Sequence, residues 1–176
     1  MKTEAKILRL FIEEKNPKTI REIARNINSD YRITHIATRR LLDKCILLSR
    51  IVGKSVLCEL NPSYYGDELY ETETLRKDDF LKKGDFRQLY KEVMSKVTSS
   101  FFVFLVFGSH TKGKASRSSD VDVMFISNER GFEEKIATIL SLLPLKIHAL
   151  FFTEDEFIRM KDSKKSNVVQ EAVEKN

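Results

Sequence analysis

Two aspartates, Asp120 and Asp122, stand one residue apart in the run Ser119-Asp120-Val121-Asp122-Val123-Met124-Phe125-Ile126, and ten residues separate them from a Gly108-Ser109 pair. Period-two alternation of an extended chain sets both carboxylates on one face of a strand whose other positions, Val121, Val123, Phe125 and Ile126, are apolar. Two carboxylates side by side repel each other, which is costly unless a divalent cation sits between them. Gly108-Ser109 offers backbone that a phosphate can approach closely and a hydroxyl donor, with Lys112, Lys114 and Arg117 adding positive charge in the same loop. An anion-binding loop beside paired carboxylates is what Mg²⁺-dependent chemistry on a nucleoside triphosphate requires.

The elements that must position these groups are legible around them. Phe101 to Phe107 is continuously apolar, which predicts a strand buried on both faces in the middle of a sheet and running straight into Gly108-Ser109. Upstream, Asp85 to Val97 has helical spacing and buries Phe86, Leu89, Tyr90, Val93 and Met94. Downstream come a helix from Gly131 to Leu143 closed by Pro144, a strand from Leu145 to Phe152, a helix start at Thr153-Glu154-Asp155-Glu156-Phe157, and a last helix from Asn167 to Glu174.

The loop and strand closely resemble the signature of the polymerase-beta-type nucleotidyltransferase superfamily. In that family Gly-Ser, a loop and then Asp-x-Asp between apolar positions is the defining pattern. Its small stand-alone members add a basic residue and Gly after Gly-Ser, matched by Lys112-Gly113, and a Ser before the Asp, matched by Ser119. The resemblance covers about residues 84–160 and implies a small mixed-sheet nucleotidyltransferase fold. It implies that Gly108, Ser109, Lys112, Gly113 and Ser119 hold a nucleoside triphosphate while Asp120 and Asp122 ligate Mg²⁺ (or Mn²⁺). One metal would clamp the leaving pyrophosphate and another would lower the pKa of an acceptor hydroxyl, giving a nucleoside monophosphate ester.

Family members carry a third carboxylate on a later strand, and counting back from Thr153 puts His148 at that position. A neutral imidazole can act as a base or bind a softer metal, yet it does not neutralise Mg²⁺ as a carboxylate would. The catalytic set is therefore Asp120, Asp122 and His148, with turnover left open and nucleotide binding expected. The family pattern also implies a further strand after the last helix, for which a chain ending at Asn176 leaves no residues.

Charge separates the amino-terminal third from the rest. Residues 1–62 carry 13 basic and 7 acidic side chains, net +6, while the whole chain is at +5. This is the asymmetry expected when one part meets a polyanion. Periodicity there reads as three helices and a hairpin. The first runs from about Thr3 to Asn16-Pro17, and the second begins at Thr19 with a Thr19/Glu22 capping box and buries Ile20, Ile23, Ala24 and Ile27. The third, about Tyr31 to Lys44, is expected to bury Ile33, Ile36 or Ala37, Leu41 and Leu42, leaving Arg32, Thr34, His35, Thr38 and Arg39 outward. Two β-rich runs then flank Gly53-Lys54, a turn suited to type II′.

This order resembles a winged helix-turn-helix domain, with Arg40 to Arg50 similar to the passage from recognition helix to wing, although Cys45 stands where Gly is usual. The resemblance implies that Arg32, Thr34, His35, Thr38 and Arg39 face duplex DNA with Lys54 at the wing tip, Arg39 being suited to a guanine. Domains of this class also dock proteins, and composition alone leaves that open.

The expected architecture is thus α+β in three parts: a winged helix-turn-helix at 1–62, a linker helix at 63–83 able to pack between domains or across a homodimer, and a nucleotidyltransferase-like domain at 84–176. Of 176 residues 41% are hydrophobic and 32% charged, an ordinary globular balance. No run approaches a membrane span and the first residues lack a signal-peptide core, so a cytoplasmic chain without membrane contact is expected. Cys45 and Cys58 are read as small buried residues, and with three scattered histidines they offer no zinc site. Three functions follow: a nucleotidyltransferase acting on a protein, small molecule or RNA end; a DNA-binding transcriptional regulator that senses a nucleotide without turnover; or an antitoxin-type module with a toxin partner.

Overall fold

The computed structural model describes residues 2–111 and 119–175. Two compact units divide the chain between Asp79 and Phe80.

In the first unit, helix α1 (Thr3–Glu14) precedes a two-residue strand β1 (Lys18–Thr19), and helices α2 (Ile20–Asn26) and α3 (Tyr31–Asp43) precede the hairpin β2 (Leu47–Val52) and β3 (Ser55–Leu60). Helix α4 (Asp67–Phe80) runs to the boundary. The expected capping box opens α2, with Thr19 N donating to Glu22 Oε2 at 2.7 Å and Glu22 N to Thr19 Oγ1 at 3.3 Å. Asp30 caps α3 by accepting from Arg32 N and Ile33 N. The sheet order is β1-β3-β2, antiparallel throughout. Ile7, Leu8, Phe11, Ile23, Ala37, Leu41, Ile46, Leu47 and Cys58 form its core.

Helix α3 is turned relative to its expected phase. Thr34 and Thr38 are fully buried, while Ile33 and Ile36 are 53% and 54% exposed. The buried stripe is Thr34, Ala37, Thr38 and Leu41, spaced i, i+3, i+4, i+7. Thr34 enters the interior because its hydroxyl donates to the Asp30 carbonyl at 2.8 Å, inside its own helix.

Cys45 is exposed, against the expectation of burial, and has φ 55. It is the left-handed residue that ends α3: its N–H donates to Leu42 O and Ile46 N–H donates back to Leu41 O, both at 2.9 Å. Asn61 Nδ2 holds the Cys45 carbonyl at 2.8 Å. Helix α4 is tied to the same unit by Lys44 to Glu68 at 2.7 Å and Arg9 to Asp79 at 2.6 Å. The Lys44 ammonium and the Tyr64 hydroxyl, both bonded to Glu68, hold its carboxyl down at about 2.

The second unit contains α5 (Gly84–Lys96), β4 (Val103–Phe107), β5 (Val121–Ile126), α6 (Phe132–Ser141), β6 (Ile147–Phe152), α7 (Glu154–Lys161) and α8 (Val168–Lys175). The sheet order is β4-β5-β6, β4 antiparallel and β6 parallel to β5. The Phe101–Phe107 run is therefore an edge strand and not the central one expected. It is apolar on both faces because both faces of the sheet are covered. Phe104 and Val106 pack with α5 and α6 around Val121, Val123 and Phe125. Val103, Leu105 and Phe107 pack with Met124, Ile126 and the α8 residues Val169 and Ala172. Across the first face Phe104, Phe125 and Phe151 stack at centroid distances of 4.8 and 5.6 Å.

Candidate active site

The site lies where the second face of this sheet runs out of apolar residues. Cross-strand register sets three rows on that face: Val103, Ile126 and Phe152; Leu105, Met124 and Leu150; and Phe107, Asp122 and His148. The first two rows are apolar and covered, and the third begins apolar on β4 and ends with a carboxylate and an imidazole. Asp120 immediately precedes β5 and is exposed. The β5–β6 pair is anchored at this end by Val121 N donating to Lys146 O at 2.8 Å.

Gly108 follows the last residue of β4 with φ 83. A Cβ there would overlap Asp122 Oδ2 and lie 3.3 Å from its Cγ, so the left-handed backbone favours glycine and any side chain at this position would displace the carboxylate. On its other oxygen Asp122 meets His148, with Nδ1 3.3 Å from Oδ1. Backbone on one side and imidazole on the other therefore position the Asp122 carboxylate. The His148 side chain is 62% exposed and that of Asp122 31%.

Two groups that sequence reasoning passed over shape the loop. His110 Nε2 lies 3.0 Å from the Ser119 carbonyl, joining the two ends of the loop, and its ring meets Phe86 of α5 edge-on at 5.3 Å. The Thr111 hydroxyl donates to the Gly108 carbonyl at 2.9 Å. A histidine directly after Gly-Ser was the available signal. Ser109 is half-buried beside Gly108. Lys112 and Gly113, expected to bind nucleotide, and Lys114 and Arg117 lie outside the described residues.

Carboxylates are the hard oxygen donors that Mg²⁺ takes, and the exposed Asp120 and partly exposed Asp122 are both open to solvent at this end of the sheet. Among the described residues no group of three or more His, Cys, Asp or Glu side chains is placed to hold a metal. Asp120 and Asp122 are the carboxylates here that could hold such a cation, its remaining positions being left to other donors.

In the first unit, Arg32 and Arg39 are exposed on α3 and His35 is half-buried, its ring 6.0 Å from that of Tyr31. Lys54 is exposed at the hairpin tip beside Gly53, which has φ 59. Thr34 and Thr38 do not join this face, as α3 buries both.

A three-stranded mixed sheet with helices on both faces, Gly-Ser leaving one strand and Asp-x-Asp entering the next, defines an α+β module of nucleotidyltransferase type. A family model described as a nucleotidyltransferase domain matches residues 86–174, and the chain belongs to that family. It is 31% identical over 94 residues to the Type II restriction enzyme StsI of Streptococcus sanguinis, an alignment covering 53% of this chain and 15% of that enzyme. The solved structure of AF1382 from Archaeoglobus fulgidus aligns over 47% of this chain and 90% of that one, with 14% identity and a TM-score of 0.38, a likeness too slight to carry an argument. Among the described residues no helix is long and apolar enough to cross a membrane.

Proposed function

We propose that the chain is a DNA-binding protein whose second unit binds a nucleoside triphosphate with Mg²⁺ (or Mn²⁺) and transfers the nucleoside monophosphate to a hydroxyl acceptor. The observation that carries this reading is the convergence at one end of the sheet of Gly108 leaving β4, packed against Asp122, with the partly exposed Asp122 carboxylate and the exposed Asp120 at the start of β5. The bound cation would screen the triphosphate and polarise it toward attack. Gly108 and Ser109 would hold phosphate oxygens through backbone and hydroxyl, and Asp120 and Asp122 would hold the cation. The acceptor oxygen bonds to the α-phosphorus as the bond to the β-phosphate breaks, pyrophosphate leaves, and the acceptor proton passes to solvent at this open site.

The first unit is read as a winged helix-turn-helix that binds duplex DNA through Arg32, His35 and Arg39 of α3 and Lys54 of the hairpin. Its surplus charge supports this, and the similarity to a restriction enzyme is in keeping with it.

One observation favours a second reading, a regulator that senses nucleotide without turnover. The β6 residue paired with Asp122 is His148, not an acid, so the site is one carboxylate short of the family set. Incubating the full chain with each α-labelled nucleoside triphosphate, Mg²⁺ or Mn²⁺ and a cell extract separates the two. Weak labelling by wild type that rises in His148→Asp supports transfer limited at this position. Binding without labelling in either protein supports the sensor, and efficient transfer that His148→Asp lowers in a folded protein makes His148 a working catalytic residue.

A further inference from the structure

The turned helix α3 leaves an apolar ridge where a hydrogen-bonding one was expected. Ile33 and Ile36 are each more than half exposed, three residues apart, and Tyr31 beside them is 48% exposed. Residues at this spacing are surface neighbours about 5–6 Å apart at Cβ. Leaving two isoleucines in water while two threonines occupy the core is unfavourable unless the ridge meets something apolar. The ridge is also cationic. Residues 31–40 contain three arginines and no acid. Arg40 is engaged by Glu4 at 3.1 Å, whereas Arg32 and Arg39 make no ion pair among the described residues. Two guanidinium groups without ion-pair partners beside an apolar ridge, in a segment that carries no acid, suit a polyanion that also presents apolar groups. The major groove of DNA offers that combination, with phosphates along its walls and thymine C5-methyl groups on its floor.

We propose that Ile33 and Ile36 read thymine methyl groups, making the DNA preference of this unit one for A·T pairs at the centre of its site, with Arg32 and Arg39 supplying phosphate or guanine contacts at the flanks. The proposal rests on the reading of the first unit as a duplex-DNA binder with α3 in the major groove. Both isoleucines lie in the first two turns of α3, the part of a recognition helix that reaches base edges. The 3.4 Å rise per base pair lets two side chains at this spacing meet thymines on adjacent or next-adjacent pairs.

The test uses the full chain. Tight-binding duplexes are selected from a random pool, each thymine in the selected site is then replaced by uracil, and affinity is followed by fluorescence anisotropy at fixed salt. Uracil keeps the base pair and removes only the methyl group. Wild type should lose about fourfold at each of one or two positions, the worth of one buried methyl. Ile33→Ala and Ile36→Ala, both at exposed positions, should each abolish the thymine-over-uracil difference at one of those positions and leave the salt dependence intact. DNA binding that is indifferent to uracil at every position overturns the methyl-reading proposal while leaving the DNA reading standing. Failure to bind any duplex, with a dimer that Ile33→Glu and Ile36→Glu dissociate, overturns both and assigns the ridge to a second copy of the chain.

Discussion

Gly108→Ala isolates the contact on which the site depends. The substitution has two separable costs. A non-glycine residue at φ 83 carries a backbone penalty of about 1–2 kcal/mol. For a unit of this size that lowers the melting temperature by about 4–16 °C. The new Cβ also overlaps Asp122 Oδ2, and the atom that yields is the end of a side chain, not backbone. The fold therefore survives while the Asp122 carboxylate swings out of its place between Gly108 and His148. Losing one charged ligand contact is worth about 1.5–3 kcal/mol, so Mg²⁺-dependent nucleotide affinity should fall by roughly ten- to a hundredfold. Gly53→Ala is the matched control: Gly53 has φ 59 and nothing within 4 Å of its would-be Cβ. It should show the backbone cost alone and unchanged nucleotide affinity. The assay is thermal unfolding followed by nucleotide titration of both variants. If Gly108→Ala binds nucleotide as wild type does, or if Gly53→Ala weakens binding equally, the reasoning from the Gly108–Asp122 contact is wrong.

Two further outcomes follow from the first unit. Cys45→Gly should stabilise it by about 1 kcal/mol, seen as a raised urea midpoint, because Cys45 occupies the left-handed end of α3 that glycine enters without strain; an unchanged or lowered midpoint contradicts this. DNA affinity should fall steeply with salt, and replacing Arg32, Arg39 and Lys54 together by Gln should flatten the log–log slope by about 2–3. A slope that the triple variant leaves unchanged moves the phosphate contacts elsewhere.

Local signals carried well from sequence to structure. The expected Thr19/Glu22 capping box opens α2, and the expected helix start at Thr153 is where α7 begins, capped there by a Thr153/Glu156 box of the same kind. Each box needs only a hydroxyl and a carboxylate three residues apart. The row that joins Asp122 to His148 was also within reach, because a later helix start counts back to a definite strand position. What could not be read locally was the partner of each surface. Phe101 to Phe107 looked central because it is apolar on both faces, yet a sheet of three strands covered on both sides makes its edge strand just as apolar. In α3, Ile33 and Thr34 exchange the places their hydropathy suggests, since Thr34 satisfies its hydroxyl on Asp30 within the helix and Ala37 and Leu41 set the buried stripe. The Gly108–Asp122 approach depends on two residues fourteen positions apart in sequence meeting across a ladder, which composition and spacing alone do not encode.

Calorimetric titration of the full chain with ATP and with GTP tests most directly whether Asp120 and Asp122 bind a nucleoside triphosphate through a divalent cation. At least one of them should bind saturably in Mg²⁺, with binding lost in excess chelator and lost in Asp120→Ala, because the carboxylates alone repel a triphosphate. Binding of equal strength with the cation removed, or in Asp120→Ala, contradicts cation-mediated binding.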